Sequence, residues 1–167
     1  MKPSRPNRGW IWYFVILAVL SVVAVSLLSF FNLKQQLKPE QLEEAKRLWN
    51  ARGPASYDMV YTQKGSAPGT FKVQVRNKKV ISAIRDGQPL EDRLRRYSDM
   101  PALFGFIEDF LKKDAQPGQP RTFTVASFDS DDGHLTHYIR RVMGGTERIE
   151  ITVQLQPLPS AAADSIR

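Results

Sequence analysis

The chain has 167 residues and a mass of 19.0 kDa, enough for one ordinary domain with an appendage and too little for two full domains. It contains no cysteine, which excludes disulfide scaffolds, thiolate metal sites, cysteine nucleophiles and a lipid-modified cysteine, and its two histidines exclude a three-histidine metal centre. The net charge is +7, from 24 basic and 17 acidic residues; three of the basic residues precede residue 9, and the mild excess that remains does not by itself make a nucleic-acid binder.

Residues Gly9–Leu33 carry no charged side chain, and Trp10–Phe31 is almost wholly apolar. As one helix those 22 residues would rise about 33 Å, against roughly 30 Å of bilayer hydrocarbon. Trp10, Trp12 and Tyr13 at the start suit the headgroup layer as interface anchors. Lys2, Arg5 and Arg8 precede the run without an acid, whereas Lys34 and Lys38 are mixed with Glu40, Glu43 and Glu44. The positive-inside rule then gives a cytoplasmic tail (1–8), a transmembrane signal anchor (9–33), a connector (34–38) and a domain beyond the cytoplasmic membrane (39–156), ending in a disordered tail (157–167). A cleaved signal peptide competes with this reading, but its apolar region spans only about 7–15 residues, and here the run continues past Ala24 and Ser26 to Phe31.

Pro39 suits the first position of a helix, Leu42, Ala45, Leu48 and Trp49 recur at helical spacing, and Glu43 with Arg47 forms a supportive i, i+4 pair. Arg52-Gly53-Pro54 ends that helix. Alternation predicts strands over 57–62, 71–76 and 79–85, with turns at Lys64–Gly69, Asn77-Lys78 and Asp86-Gly87. In the second of these, Phe71, Val73 and Val75 face one way and Lys72, Gln74 and Arg76 the other. A charged loop follows, then a second helix with Ser98 as N-cap and an apolar stripe of Leu103, Phe104, Ile107, Phe110 and Leu111. Three more strands are expected over 121–128, 135–142 and 148–155. The order α-βββ-α-βββ with short connections implies an α+β fold: an antiparallel sheet of about six strands with two helices on one face.

Asp129-Ser130-Asp131-Asp132-Gly133 has the composition of a calcium loop, but from Asp129 the glycine falls at position 5 and Arg140 at position 12, so the reading is an acidic hairpin turn. His134 and His137, three apart on a strand, point to opposite faces and do not chelate one ion. There is no Gly-x-Ser-x-Gly elbow, Ser-x-x-Lys or phosphate-binding glycine loop. Neither catalytic residues nor a cofactor or metal site is expected. Arg93, Arg95 and Arg96 would form an anion or partner surface if they converged with Arg140 or Arg141.

The outer domain resembles a family of bacterial cell-envelope domains of unknown function. The resemblance rests on Trp49, Tyr57-Asp58-Met59-Val60-Tyr61, Val73-Gln74-Val75-Arg76-Asn77 with Val80, Tyr97-Ser98-Asp99-Met100-Pro101-Ala102-Leu103-Phe104 with Ile107, Phe128-Asp129 and Gly133-His134-Leu135-Thr136. It spans roughly residues 45–155. His134-Leu135 stands where the family has an aromatic-Pro step, and Gln63-Lys64-Gly65 where many members carry Cys-x-Cys. The resemblance implies an envelope location and carries no established activity or catalytic residues.

The expectation is a single-pass, membrane-anchored module that binds or assembles with an envelope protein or an anionic wall polymer, without catalysis and without nucleic acid. An inhibitor or chaperone-like module that blocks another protein's cleft is the alternative, with Lys64–Gly69 or Asp86–Arg96 as the inserted loop, and a wall hydrolase is the third. The sheet face bearing Lys72, Gln74 and Arg76 is the first surface on which to seek a partner.

Overall fold

The computed structural model describes residues 12–23, 36–95 and 98–158. By its internal contacts the chain divides after Gln36 into two units. In the first unit the described residues 12–23 are helical (α1), with Trp12 and Tyr13 exposed. Trp10 and the tail 1–8 lie outside the described residues. Among the described residues no helix is long and apolar enough to cross a membrane. The expected span over 9–33 is corrected on this finding, and with it the placement as a single-pass protein of the cytoplasmic membrane with residues 39–156 outside. Apolar composition gives a segment affinity for hydrocarbon, but only about 20 residues of continuous helix satisfy the backbone across it.

The second unit begins at Leu37. Its elements are α2 (Pro39–Arg52), β1 (Tyr57–Gly65), β2 (Gly69–Arg76), β3 (Lys79–Arg85), β4 (Gln88–Pro89), α3 (Asp92–Arg95), α4 (Met100–Asp114), β5 (Thr122–Phe128), β6 (Leu135–Val142) and β7 (Arg148–Pro157). The strands form one antiparallel sheet in the order β4-β3-β2-β1-β7-β6-β5. It has seven strands, where about six were expected: Gln88 and Pro89 fold back on Arg85 and Ile84 in a pairing too short to show any alternation. Likewise the loop after β3 contains the single turn of α3, whose four residues are too few for a periodic signal.

Pro39 occupies the first turn of α2, and the Gln41 side chain accepts from the Lys38 N–H at 2.9 Å. Glu43 pairs with Lys46 at 2.8 Å, not with Arg47. Lys46 also reaches Glu108 of α4 at 2.8 Å, so an inter-helix contact decides the partner. Helix α4 is capped by Asp99, not Ser98: the Asp99 carboxylate accepts from the Ala102 N–H at 2.9 Å, three residues on, while the Ser98 hydroxyl donates to the Arg95 carbonyl.

Both helices cover one face of the sheet. Leu42, Ala45 and Trp49 of α2 and Leu103, Phe104 and Ile107 of α4 are buried with Tyr57, Met59, Tyr61, Val73, Val75, Leu135, Tyr138, Ile149, Ile151 and Val153. Ring contacts join the layers: Trp49 meets Tyr57 edge-on at 5.5 Å, and Phe106 meets Tyr138 at 6.5 Å. The β2–β3 turn places Asn77 and Lys78 at φ 50° and 62°, the left-handed pair a two-residue hairpin requires. Both sheet edges are blunted. β4 is two residues long and holds a proline, and on β5 the Leu37 N–H donates to the Thr124 carbonyl at 2.7 Å, so the incoming chain covers that edge.

Candidate functional site

Among the described residues of the second unit no helix lies on the other face of the sheet. Strand alternation and register bring to it Asp58, Val60, Thr62 and Lys64 from β1, Lys72, Gln74 and Arg76 from β2, and Lys79, Ser82 and Ile84 from β3. From β7 come Arg148, Glu150, Thr152, Gln154 and Gln156, from β6 His137, Ile139 and Arg141, and from β5 Phe123, Val125 and Ser127. At about 4.8 Å per strand and 3.4 Å per residue this face is on the order of 700 Å². Two of its cations are matched: Arg76 with Asp58 at 2.7 Å, and Arg148 with Glu150 at 2.5 Å. A cleft of about 290 Å³ opens at its β2–β3 end, lined by Thr70, Lys72, Ile84, Asp86 and Gly87. Asp86 is held in that rim by the Thr70 N–H, which it accepts at 2.8 Å.

A second cleft lies where the end of α2, the β2–β3 turn and the start of α4 meet. Trp49, Tyr57, Lys78, Asp99 and Pro101 are among its lining residues, and its volume is about 80 Å³. Desolvation pushes the Asp99 carboxyl above its ordinary pKa, against the opposing pull of the Ala102 N–H. Desolvation also pushes the Tyr57 phenol up to about 12, and its oxygen accepts from the Met100 N–H at 3.2 Å. Shifted groups in a hollow are where chemistry is sought first. Ligand sites, however, usually measure about 300–1,000 Å³, and this hollow holds two or three water-sized groups. It is a packing seam under Trp49.

The arginines singled out in the sequence do not converge. Arg95 pairs with Asp92 and donates to the Ile81 carbonyl of β3 at 3.2 Å. Arg140 and Arg141 belong to β6, four strand positions away, roughly 19 Å. Arg93 is exposed on α3, and Arg96 lies outside the described residues. Adjacent on one strand, Arg140 and Arg141 point to opposite sides of the sheet. Arg141 reaches the open face. Arg140 is buried: its guanidinium grips Asp114 of α4 at 2.6 and 2.8 Å, meets Glu147 at 2.8 Å and lies 4.5 Å over the Phe110 ring.

Only His137 is on a strand: β6 begins at Leu135, so the reading of both histidines on one strand is corrected. His137 lies on the open face beside Thr152, whereas His134 contacts Asp132 at 2.6 Å in the loop before β6. Ligand atoms of Asp129, Asp132 and His134 come within 4.8 Å of one another. Their carboxylates hold the turn: Asp129 accepts from the N–H groups of Asp131 and Asp132, and Asp132 from that of His134. The loop docks on α2 through Gly133, at φ +79°, where a Cβ would stand 2.5 Å from the Ala45 carbonyl oxygen.

The alternation in β2 pointed to Lys72, Gln74 and Arg76. That Lys79 and Arg141 share their face follows from register across five strands, for which no local signal exists. No curated protein and no solved structure matches the chain. Residues 41–119, which include α2 from Gln41 on, β1–β4, α3 and α4 and the whole lining of the Trp49 cleft, are similar to a family described as "Family of unknown function (DUF6174)".

Proposed function

We propose that the domain of residues 39–156 is a non-catalytic binding module that engages another protein through the open face of its sheet. The observation that carries this reading is the face itself. Its roughly 700 Å² approaches the ~800 Å² that each partner contributes to a standard interface, and it is rigid because its reverse side is the core. Thr, Gln and Val interleave with separated charges across it, and the Lys72–Ile84 cleft has room for a single partner side chain.

The loops that an inhibitor would insert are bonded back onto the domain. Ser66 N–H donates to the Arg148 carbonyl, Gln63 holds the Ser66 carbonyl, and Asp86 N–H donates to the Thr70 carbonyl. The envelope setting rested on the membrane span, now corrected, and on the family resemblance; the matched family is one of unknown function and carries no location.

The test is site-specific photo-crosslinking in the cells that express the protein, with the crosslinker at Gln74 or Gln154 on the open face, or at Glu44 on α2. One partner species should be joined from both open-face positions and not from Glu44. No adduct from the open face, or equal yield from Glu44, refutes the reading.

A further inference from the structure

We infer that the open face takes an acidic protein surface, held by Lys64, Lys72, Lys79 and Arg141, which make no ion pair among the described residues; this rests on the binding reading above. The face carries six basic residues (Lys64, Lys72, Arg76, Lys79, Arg141 and Arg148) against three acids, Asp58, Glu150 and, on the rim of the Lys72–Ile84 cleft, Asp86. Asp58 and Glu150 are already paired, with Arg76 and Arg148, and Asp86 lies 3.7 Å from Arg85. Over the rest of the described domain twelve basic residues meet thirteen acidic ones. The positive charge of the domain is therefore concentrated on the side that none of its described helices covers.

The register supplies an independent observation. Arg76 stands directly opposite Lys79 across β2 and β3, and Arg141 directly opposite Arg148 across β6 and β7. Like charges at facing positions oppose strand pairing. Two such pairs on one face work against the stability of the free domain and are relieved by carboxylates arriving from outside.

The spacing selects the partner. Lys72 is level with Gln154 of β7, through Val60, and Arg141 is level with Arg148, six residues along the same strand. The cations are thus spread over roughly 20 Å, too open for one phosphate or carboxylate and suited to an extended acidic surface. A second copy of the chain would bring the same excess of positive charge against itself. A nucleic acid fits less well, because these four cations interleaved with Thr, Gln and Val offer few phosphate contacts against the 6–10 of a typical duplex binder.

The full-length chain is titrated with fluorescein-labelled poly-L-glutamate at low salt, beside inorganic polyphosphate. We expect saturable binding of polyglutamate that weakens as salt is raised. K79E/R141E should weaken it by about tenfold or more while raising the thermal midpoint by about 2–5 °C, since each facing like-charge pair becomes an opposite one. R47E/K113E changes charge equally but away from the face, and should keep polyglutamate affinity within about twofold. Four results overturn the inference: no binding of polyglutamate, equal loss in both double variants, a lowered midpoint in K79E/R141E, or preference for polyphosphate. Face-specific crosslinks from Gln74 that survive in K79E/R141E also overturn it while leaving the binding reading intact. Absence of such crosslinks, with polyglutamate bound as expected, refutes the binding reading in cells while the charge preference stands.

Discussion

Replacing Arg140 by alanine tests how the domain is held together. The Arg140 side chain is 4% exposed and that of Asp114 10%, and the two make a two-pronged contact that fastens the end of α4 to the middle of β6. Arg140→Ala leaves the Asp114 carboxylate desolvated with its principal cation gone. Breaking a buried pair on one side costs about 3–5 kcal/mol, whereas replacing both partners with apolar groups is often neutral. A domain of this size has about 5–15 kcal/mol in total, so the variant should lose about 10–20 °C in thermal midpoint. Urea unfolding followed by tryptophan fluorescence reads the same loss, because Trp49 is buried against Tyr57. The double variant Arg140→Met with Asp114→Leu should recover most of it. Glu147, half exposed on the rim, should matter little: Glu147→Gln should cost under about 1 kcal/mol. A loss below about 1 kcal/mol in Arg140→Ala, or a double variant no better than the single, refutes the account of a desolvated pair.

The same pair sets an acid limb. Burial alone pushes the Asp114 carboxyl up, but the hydrogen bonds from Arg140 and Thr122 and the positive charge of Arg140 outweigh it and hold the pKa below the ordinary 3.8. A depressed folded-state pKa adds stability that is present above the unfolded value and lost as pH falls through the folded one. The wild type should therefore lose stability below about pH 4 more steeply than Arg140→Met/Asp114→Leu, and parallel pH profiles would count against this assignment. Gly133→Ala should destabilise by about 2 kcal/mol or more, because the position has φ +79° and a Cβ would press on the α2 backbone; a midpoint unchanged in urea would show that the loop does not depend on that approach. Tyr138→Phe should stabilise by up to about 1 kcal/mol, since the phenol oxygen is buried without a hydrogen-bond partner; a loss of stability would reveal one. Asp99→Ala should cost about 1 kcal/mol in calorimetry as the α4 cap is lost. Asp99→Asn should be neutral or mildly stabilising at pH 7, because the raised pKa means that ionised Asp99 opposes folding there.

Local chemistry was enough for most of the elements. Pro39, Gly53 and Pro54 bound α2, the Phe71–Arg76 alternation marks β2, and the left-handed pair Asn77-Lys78 joins it to β3, because each of these depends on residues within a few positions of one another. The sequence also determined which side of each strand is apolar, and hence that Lys72, Gln74 and Arg76 face away from the core. It misplaced what depends on distant contacts or on length. Lys46, not Arg47, took Glu43, because Glu108 draws Lys46 toward α4. β4 and α3 are too short for periodicity to show. The apolar run from Gly9 was read as a span, whereas among the described residues no helix is long and apolar enough to cross a membrane. Only the tertiary structure decided that β1 pairs with β7, joining two meanders into one sheet. That pairing puts Lys72 and Arg141 on the same open face and sends Arg140, one residue from Arg141, into the core, because a strand alternates sides at every residue while strand order is set by packing across the whole domain.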